Sequence, residues 1–292
     1  MARRKNTSRG DYGYHASDVR REFNSVVDFV KYVSGKVTSE HYAVRCDVDS
    51  TFRPFDWGET VRAGLNGNPE YTNVLFDAIT AFNNGGDTFA AVDVRDVEGQ
   101  FFDVGDVVNG VPECWFNRAN IEPRENIDIV AGLGAPCDTS IEQIVNRGAA
   151  IVGMVERLTE CGFNVNIELK NRVEYGANYI GELTINIPTN PIDIDGLAFI
   201  LANPCALRRM IFAWRELETA NKSMTWCAYG ASMSLLRGWD VVSDNNIVLF
   251  DSFSRDMRGS SMEHYSDIDG ARAVVANVFK RLNANNERLI IA

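Results

Sequence analysis

Ile127-Asp-Ile-Val-Ala-Gly-Leu-Gly134, a break at Pro136, an apolar run from about Ser140 to Cys161, and then Gly162-Phe-Asn-Val-Asn-Ile-Glu-Leu-Lys170 decide the fold of this chain. The first and last pieces are short, rich in β-branched residues and bounded by glycine, as buried strands are. The middle piece is too long for a strand and repeats its apolar residues at helical spacing. Strand, helix and strand in that order make a crossover between parallel neighbours, right-handed in nearly all cases. The expectation is an α/β protein with a layered mixed, partly parallel sheet and flanking helices, Rossmann-like or von Willebrand A-like.

Working outward, Ile180-Gly-Glu-Leu-Thr-Ile-Asn-Ile187 alternates and reads as an antiparallel neighbour of the strand ending near Lys170. Asp193 or Asp195 can cap a short helix, and Pro204 opens another with Leu207, Met210, Ile211, Trp214 and Leu217 on its buried stripe. Ile247 to Phe250 reads as a short buried strand, Asp267 to Asn283 as a helix, and Leu289 to Ala292 as a closing strand. Towards the N-terminus, Ser17 is placed to cap a helix whose inward face is Val19, Phe23, Val26, Val27, Val30 and Val33, ended by Gly35. His41 to Asp49 reads as a strand. A helix from Asp56 is stopped by Asn66-Gly67, and one from Pro69 presents Val74, Leu75, Ala78, Ile79 and Phe82. The chain thus divides into a flexible basic arm over 1–16, a helix-rich extension over 17–126 packed on the core, and an α/β core over 127–292.

Of the 292 residues 45% are hydrophobic, enough for a full core. The six cysteines stand alone with no C-x-x-C pair, and the three histidines are far apart, so neither a disulfide framework nor a metal site is expected. Cys137 and Cys161 read as packing against the sheet. No apolar run reaches the roughly 18–20 residues of a membrane helix, and no secretory segment opens the chain, which makes the host-cell cytoplasm the expected location.

Gly132-Leu-Gly134 follows a strand but lacks the further glycine of a dinucleotide fingerprint, and no P-loop Lys-Ser or Lys-Thr occurs. Asp47-Val-Asp49 and Asp251-Ser-Phe-Ser254 approach the D-x-S-x-S metal pattern but carry Asp49 and Phe253 where serine belongs. There is no G-x-S-x-G elbow. An enzyme is therefore not expected, nor a cofactor.

Charge is more informative. The net charge is -11, yet residues 1–36 hold eight basic side chains against four acidic ones. Single-stranded nucleic acid asks for cations to meet phosphates and aromatic faces to stack bases. Arg3, Arg4, Lys5 and Arg9 with Tyr12 and Tyr14 supply both within the arm, and Arg20 and Arg21 continue it. Arg147, Lys170, Arg172, Arg208 and Arg209 fall at element ends, where they extend the candidate DNA-binding set; Trp115 and Tyr175 are further stacking candidates.

Asn146-Arg-Gly-Ala-Ala-Ile-Val152, Leu158-Thr-Glu-Cys-Gly-Phe-Asn-Val165, Ile192-Asp-Ile-Asp-Gly-Leu-Ala-Phe-Ile-Leu-Ala-Asn-Pro204 and Leu207-Arg-Arg209 carry a likeness over about residues 55 to 218. They resemble an α/β domain of bacterial viruses and mobile elements, similar to the Drc-type proteins, single-stranded-DNA-binding cofactors of a phage-encoded RNA polymerase. The resemblance implies binding to melted promoter DNA and recruitment of that polymerase, without catalysis or cofactors. Self-association into a homo-oligomer stays open. The alternative is a von Willebrand A-like interaction module without catalytic activity.

Overall fold

The computed structural model describes residues 19–50, 52–84, 93–96, 101–102, 108, 115–118, 126–160, 163–175, 179–189, 192–218, 241–244, 247–250 and 263–285. The central unit takes the expected form: β5 (Asn126–Gly132), helix α5 (Ile141–Glu160) and β6 (Asn164–Tyr175), with β5 and β6 parallel and Ile127 facing Val165. The antiparallel neighbour is β7 (Tyr179–Ile187). Outside it lies β1 (Val19–Phe23), parallel to β7; on the other side of β5 lie β9 (Ile247–Phe250), parallel to it, and β8 (Val241–Asp244). The order is β1-β7-β6-β5-β9-β8, a mixed sheet of an α/β protein. A separate three-stranded antiparallel sheet pairs β4 (Trp115–Arg118) with β2 (Asp93–Asp96) and β3 (Phe101–Phe102).

Side chains alternate across a strand, and the alternation is clear in β6 and β7, while β5 is buried on both faces from Ile129 onward. Phe23, Leu183, Ile185, Leu169, Ile167, Ile129 and Val248 are buried on one face. Arg20, Glu22, Glu182, Thr184, Glu168, Lys170 and Asp128 occupy the other and are half-exposed. The apolar face shares a single core with the helices, from Val26 in the N-terminal part to Phe279 near the other end.

Two N-terminal expectations are corrected. The helix from Ser17 is two elements: strand β1, then α1 (Val26–Ser34), capped by Ser25, whose side chain accepts from the Asp28 amide at 3.0 Å. Residues 19 and 23 share a face in a helix and in a strand alike, so their spacing alone could not choose; pairing with β7 does. His41 to Asp49 contains no strand but a one-turn helix, α2 (Tyr42–Arg45). Its ends are satisfied from far away. The Glu216 carboxylate accepts from the amides of Tyr42 and Ala43 (2.8 and 2.9 Å), and Arg209 donates to the carbonyls of Ala43 and Cys46.

Helix α3 (Trp57–Asn66) starts in a capping box between Asp56 and Glu59 and stops at Gly67, whose φ of +78° suits glycine. Helix α4 (Pro69–Asn84) buries Tyr71, Leu75, Ile79 and Phe82, whereas Val74, expected inward, faces out. Burial pushes the Tyr71 hydroxyl pKa up to about 12, with Cys205 and Glu70 adding to the shift and Arg208 opposing it. A raised folded-state value means that the neutral phenol stabilises the fold below the unfolded value near 10 and that this contribution is lost as pH rises towards 12. The urea midpoint should therefore fall between pH 10 and 12, and Tyr71→Phe should flatten that part of the profile. Identical alkaline profiles for both proteins would remove Tyr71 as the cause.

Gly153 lets α5 lie against α4. A methyl group there would come within 2.7 Å of Phe82 Cδ1. Gly153→Ala is expected to cost about 1–2 kcal/mol in denaturant titrations, overpacking outweighing the gain in helix propensity. No change, or a gain, would show that Phe82 gives way freely.

Helices α6 (Ile194–Ala202) and α7 (Ala206–Glu218) meet at 69° around Asn203-Pro204. Asp193 caps the first through the Gly196 amide, as expected, and the Asn203 side chain accepts from the Cys205 amide at 2.8 Å. Ala198–Ala202 and Ala206–Met210 are wound as π-helix and buried on every side, as core helices are. Among the described residues no single helix is long and apolar enough to cross a membrane. Helix α8 (Ile268–Asn285) turns Ala271, Val275 and Val278 inward.

Candidate functional site

In open α/β sheets ligands bind outside the carboxyl ends of parallel strands, where connections diverge to either side. Here that place lies between β5, which continues through α5 to β6, and β9 on its other flank. Among the described residues, side chains of the protein reach into it. Arg147, on the second turn of α5, donates to the carbonyls of Gly132 and Phe250, the last residues of β5 and β9, at 2.9 and 3.3 Å. The neighbouring Asn146 donates to the Tyr265 carbonyl at 3.1 Å, so both members of this polar pair are buried and both are bonded. Beside them, Asn171 of β6 donates to the Leu133 carbonyl and accepts from Arg215 Nε and Nη2 at 3.2 and 3.0 Å.

The loop after β5, the one place where a phosphate cradle was conceivable, is fastened by Arg208. Its Nε donates to Ala135 O (3.0 Å), Nη1 to Phe52 O (3.1 Å), and Nη2 to Pro136 O (2.9 Å) and Thr139 O (2.6 Å). The guanidinium carbon also lies 4.3 Å from the Phe52 ring centroid. An anion-binding loop points N–H groups at its ligand; this loop points carbonyls at a cation. Arg209 treats α2 and the segment after it in the same way, donating to Ala43, Cys46 and Asp47 carbonyls. Burial lowers the Arg208 pKa to about 10, against the opposing pull of Cys137, Cys205, Asp138 and Asp49.

Three members of the expected DNA-binding set are thus corrected. Arg147 is 2% exposed, and Arg208 and Arg209 are fully buried, so none can reach a phosphate. The one-turn helix α2 with residues 46–47, and the irregular backbone of 133–139, leave carbonyls without ladder partners, and the planar fork of arginine can satisfy several at once. The expected burial of Cys137 is also reversed: it is exposed on the loop that Arg208 holds. Tyr265, whose carbonyl accepts from Asn146, is buried at 2%.

Other candidates sit on the surface but beside carboxylates. Arg20 lies 3.9 Å from Glu182, and Lys170 lies 2.7 Å from Glu168. Arg172 stands opposite Glu182 across the β6–β7 ladder. Arg21 Nε donates to Glu218 Oε1 at 2.9 Å, a bond that raises the Arg21 pKa, and the Tyr32 hydroxyl donates to the same oxygen. Arg3, Arg4, Lys5, Arg9, Tyr12 and Tyr14, the closing strand at 289–292 and the Asp251 to Ser254 motif lie outside the described residues, as do the side chains of Trp115 and Tyr175. Asp49 closes a turn by accepting from the Phe52 amide, and among the described residues no group of three or more His, Cys, Asp or Glu could hold a metal.

Sequence reading missed a set of aromatic–cation pairs near the end of α7. Lys36 Nζ sits 4.2 Å from the Tyr32 ring centroid, and the Arg45 guanidinium 5.9 Å from that of Tyr42, which is 44% exposed. Their spacings of four and three residues were a visible signal, but one that needs a helix at each place to have meaning.

Against this geometry, the family model for a domain of unknown function, DUF7192, matches residues 4–286. No curated protein and no solved structure matches the chain.

Proposed function

We propose that this chain, which belongs to the DUF7192 family, is a non-catalytic single-stranded-DNA-binding protein that acts as a transcription cofactor, recruiting a phage RNA polymerase to melted promoters. The observation that carries the DNA-binding part is the anchoring of the arm's root. Residues 19–23 are built into the sheet edge as β1, and Arg21 is tied to Glu218 at the end of α7. The folded cations nearest the arm are already matched, Arg20 by Glu182 and Arg21 by Glu218. The arm's own Arg3, Arg4, Lys5 and Arg9, with Tyr12 and Tyr14, are then the basic and aromatic groups offered to a strand.

The bonding of Arg147 and Arg208 to carbonyls at the end of β5 and in the loop after it supports the non-catalytic reading, because among the described residues the backbone at the usual ligand position of such a sheet is engaged by structural side chains. The polymerase partner rests on the sequence resemblance over about residues 55 to 218. Fluorescence-anisotropy titration against single- and double-stranded oligonucleotides at two salt concentrations tests the binding. Preference for the single strand with a steep salt dependence is the expected result; equal affinity for both forms, or none for either, overturns it.

A further inference from the structure

We infer that the strand continues from the arm onto a second contact site, the Tyr32–Tyr42 surface at the end of α7, where a base stacks on Tyr42 and phosphates meet Lys36 and Arg45. The inference rests on the single-strand-binding reading and gives it a folded site.

Three contacts bring this surface together around the last turns of α7. Glu218 receives both Arg21, at the root of the arm, and the Tyr32 hydroxyl. Glu216, two residues earlier, holds the amides of Tyr42 and Ala43. Phe212, one turn before that, meets the Tyr42 ring edge-on with centroids 6.3 Å apart. Chain leaving the arm and the two tyrosines therefore converge on one helix end.

The electrostatics suit a polyanion. Both α7 carboxylates are engaged, Glu218 by Arg21 and Tyr32 and Glu216 by the start of α2. Between α1 and the end of α2, Lys36 and Arg45 are exposed with Glu40 between them, and Asp47 and Asp49 follow on the far side of Arg45. Each cation lies over an aromatic ring, the pairing that lets a base and its phosphate be met side by side. The edge-on contact with Phe212 fixes the Tyr42 ring in place, so little ordering entropy is lost on stacking.

The test uses the full chain and a fluorescein-labelled single-stranded oligothymidine. Tyr42→Ala is expected to weaken binding about 5- to 100-fold, the span of one lost stacking contact, while Tyr42→Phe keeps near-full affinity. Arg45→Ala should reduce the salt slope by about 0.7, the share of one phosphate contact on a single strand. Photocrosslinking with 5-iodouracil in the strand should label the 32–45 segment. If the full chain binds and Tyr42→Ala binds equally well, this site is wrong and the arm reading stands; if the full chain does not bind the oligonucleotide, both fall.

Discussion

Arg208→Met is expected to lower the unfolding free energy by about 3–5 kcal/mol, among the largest effects a single substitution in this protein should have. The arginine holds four backbone carbonyls, at Phe52, Ala135, Pro136 and Thr139, all within 3.1 Å. An orphaned buried acceptor costs about 1–3 kcal/mol, so four would exceed the figure given if each stayed dry. Two effects bring it down. The loop around the exposed Cys137 can admit water once unfastened, and methionine removes the desolvation cost that lowers the arginine's pKa to about 10. Arg208→Lys should recover little, because a lysine ammonium has three donors on a single atom and cannot span carbonyls that the planar fork reaches from both sides. Urea denaturation followed by tryptophan fluorescence measures both variants. A loss under about 0.5 kcal/mol for Arg208→Met would mean that the loop carbonyls find water in the native state and that the stitch is ornamental to stability.

Such arginines show why the fold was more legible than the site. The strand–helix–strand unit from Ile127 to Lys170 was readable because its signals are local: β-branched runs bounded by glycine around a helix-periodic stretch. Elements whose stability comes from elsewhere were not. Helix α2 is one turn long and is held at one end by Glu216 and at the other by Arg209, more than 160 positions away, so no window around His41 contains the reason that it is helical. Strand β1 has the same difficulty in another form, since residues 19 and 23 fit either period and the deciding partner is Gly181 to Ile185. For the site, a charged residue in a sequence reads as surface by default. Arg147, Arg208 and Arg209 break that default because the loops opposite them expose carbonyls inward, which only the assembled fold reveals. Arg20 and Lys170 were rightly placed on the outside, but their cross-strand or same-face carboxylates depend on register, which is set by pairing between strands.

Deleting residues 1–16 is expected to reduce affinity for single-stranded DNA about 100-fold at 50 mM salt and to flatten its salt dependence. The arm carries Arg3, Arg4, Lys5 and Arg9. At a slope of about −0.7 per phosphate on a single strand, the arm's four contacts give roughly −2.8 and the intact protein, with Lys36 and Arg45, about −4.2, so raising salt from about 50 to 200 mM should weaken it about 300-fold, of which about 50-fold is the arm's share. Tyr12 and Tyr14 add stacking, which is insensitive to salt, so the truncated protein should lose more affinity at 50 mM than its cations alone explain. What remains after truncation belongs to the folded surface: Lys36 and Arg45 beside Tyr32 and Tyr42, with an expected slope of about −1.4. The deletion should leave the fold intact, since it stops short of β1, whose pairing with β7 begins at Val19. Circular dichroism of the truncated chain checks that point. A truncated protein with unchanged affinity and an unchanged slope would take the arm out of the mechanism and assign binding to the folded part; one with no measurable affinity would make the arm necessary and show that the surface at the end of α7 does not bind by itself.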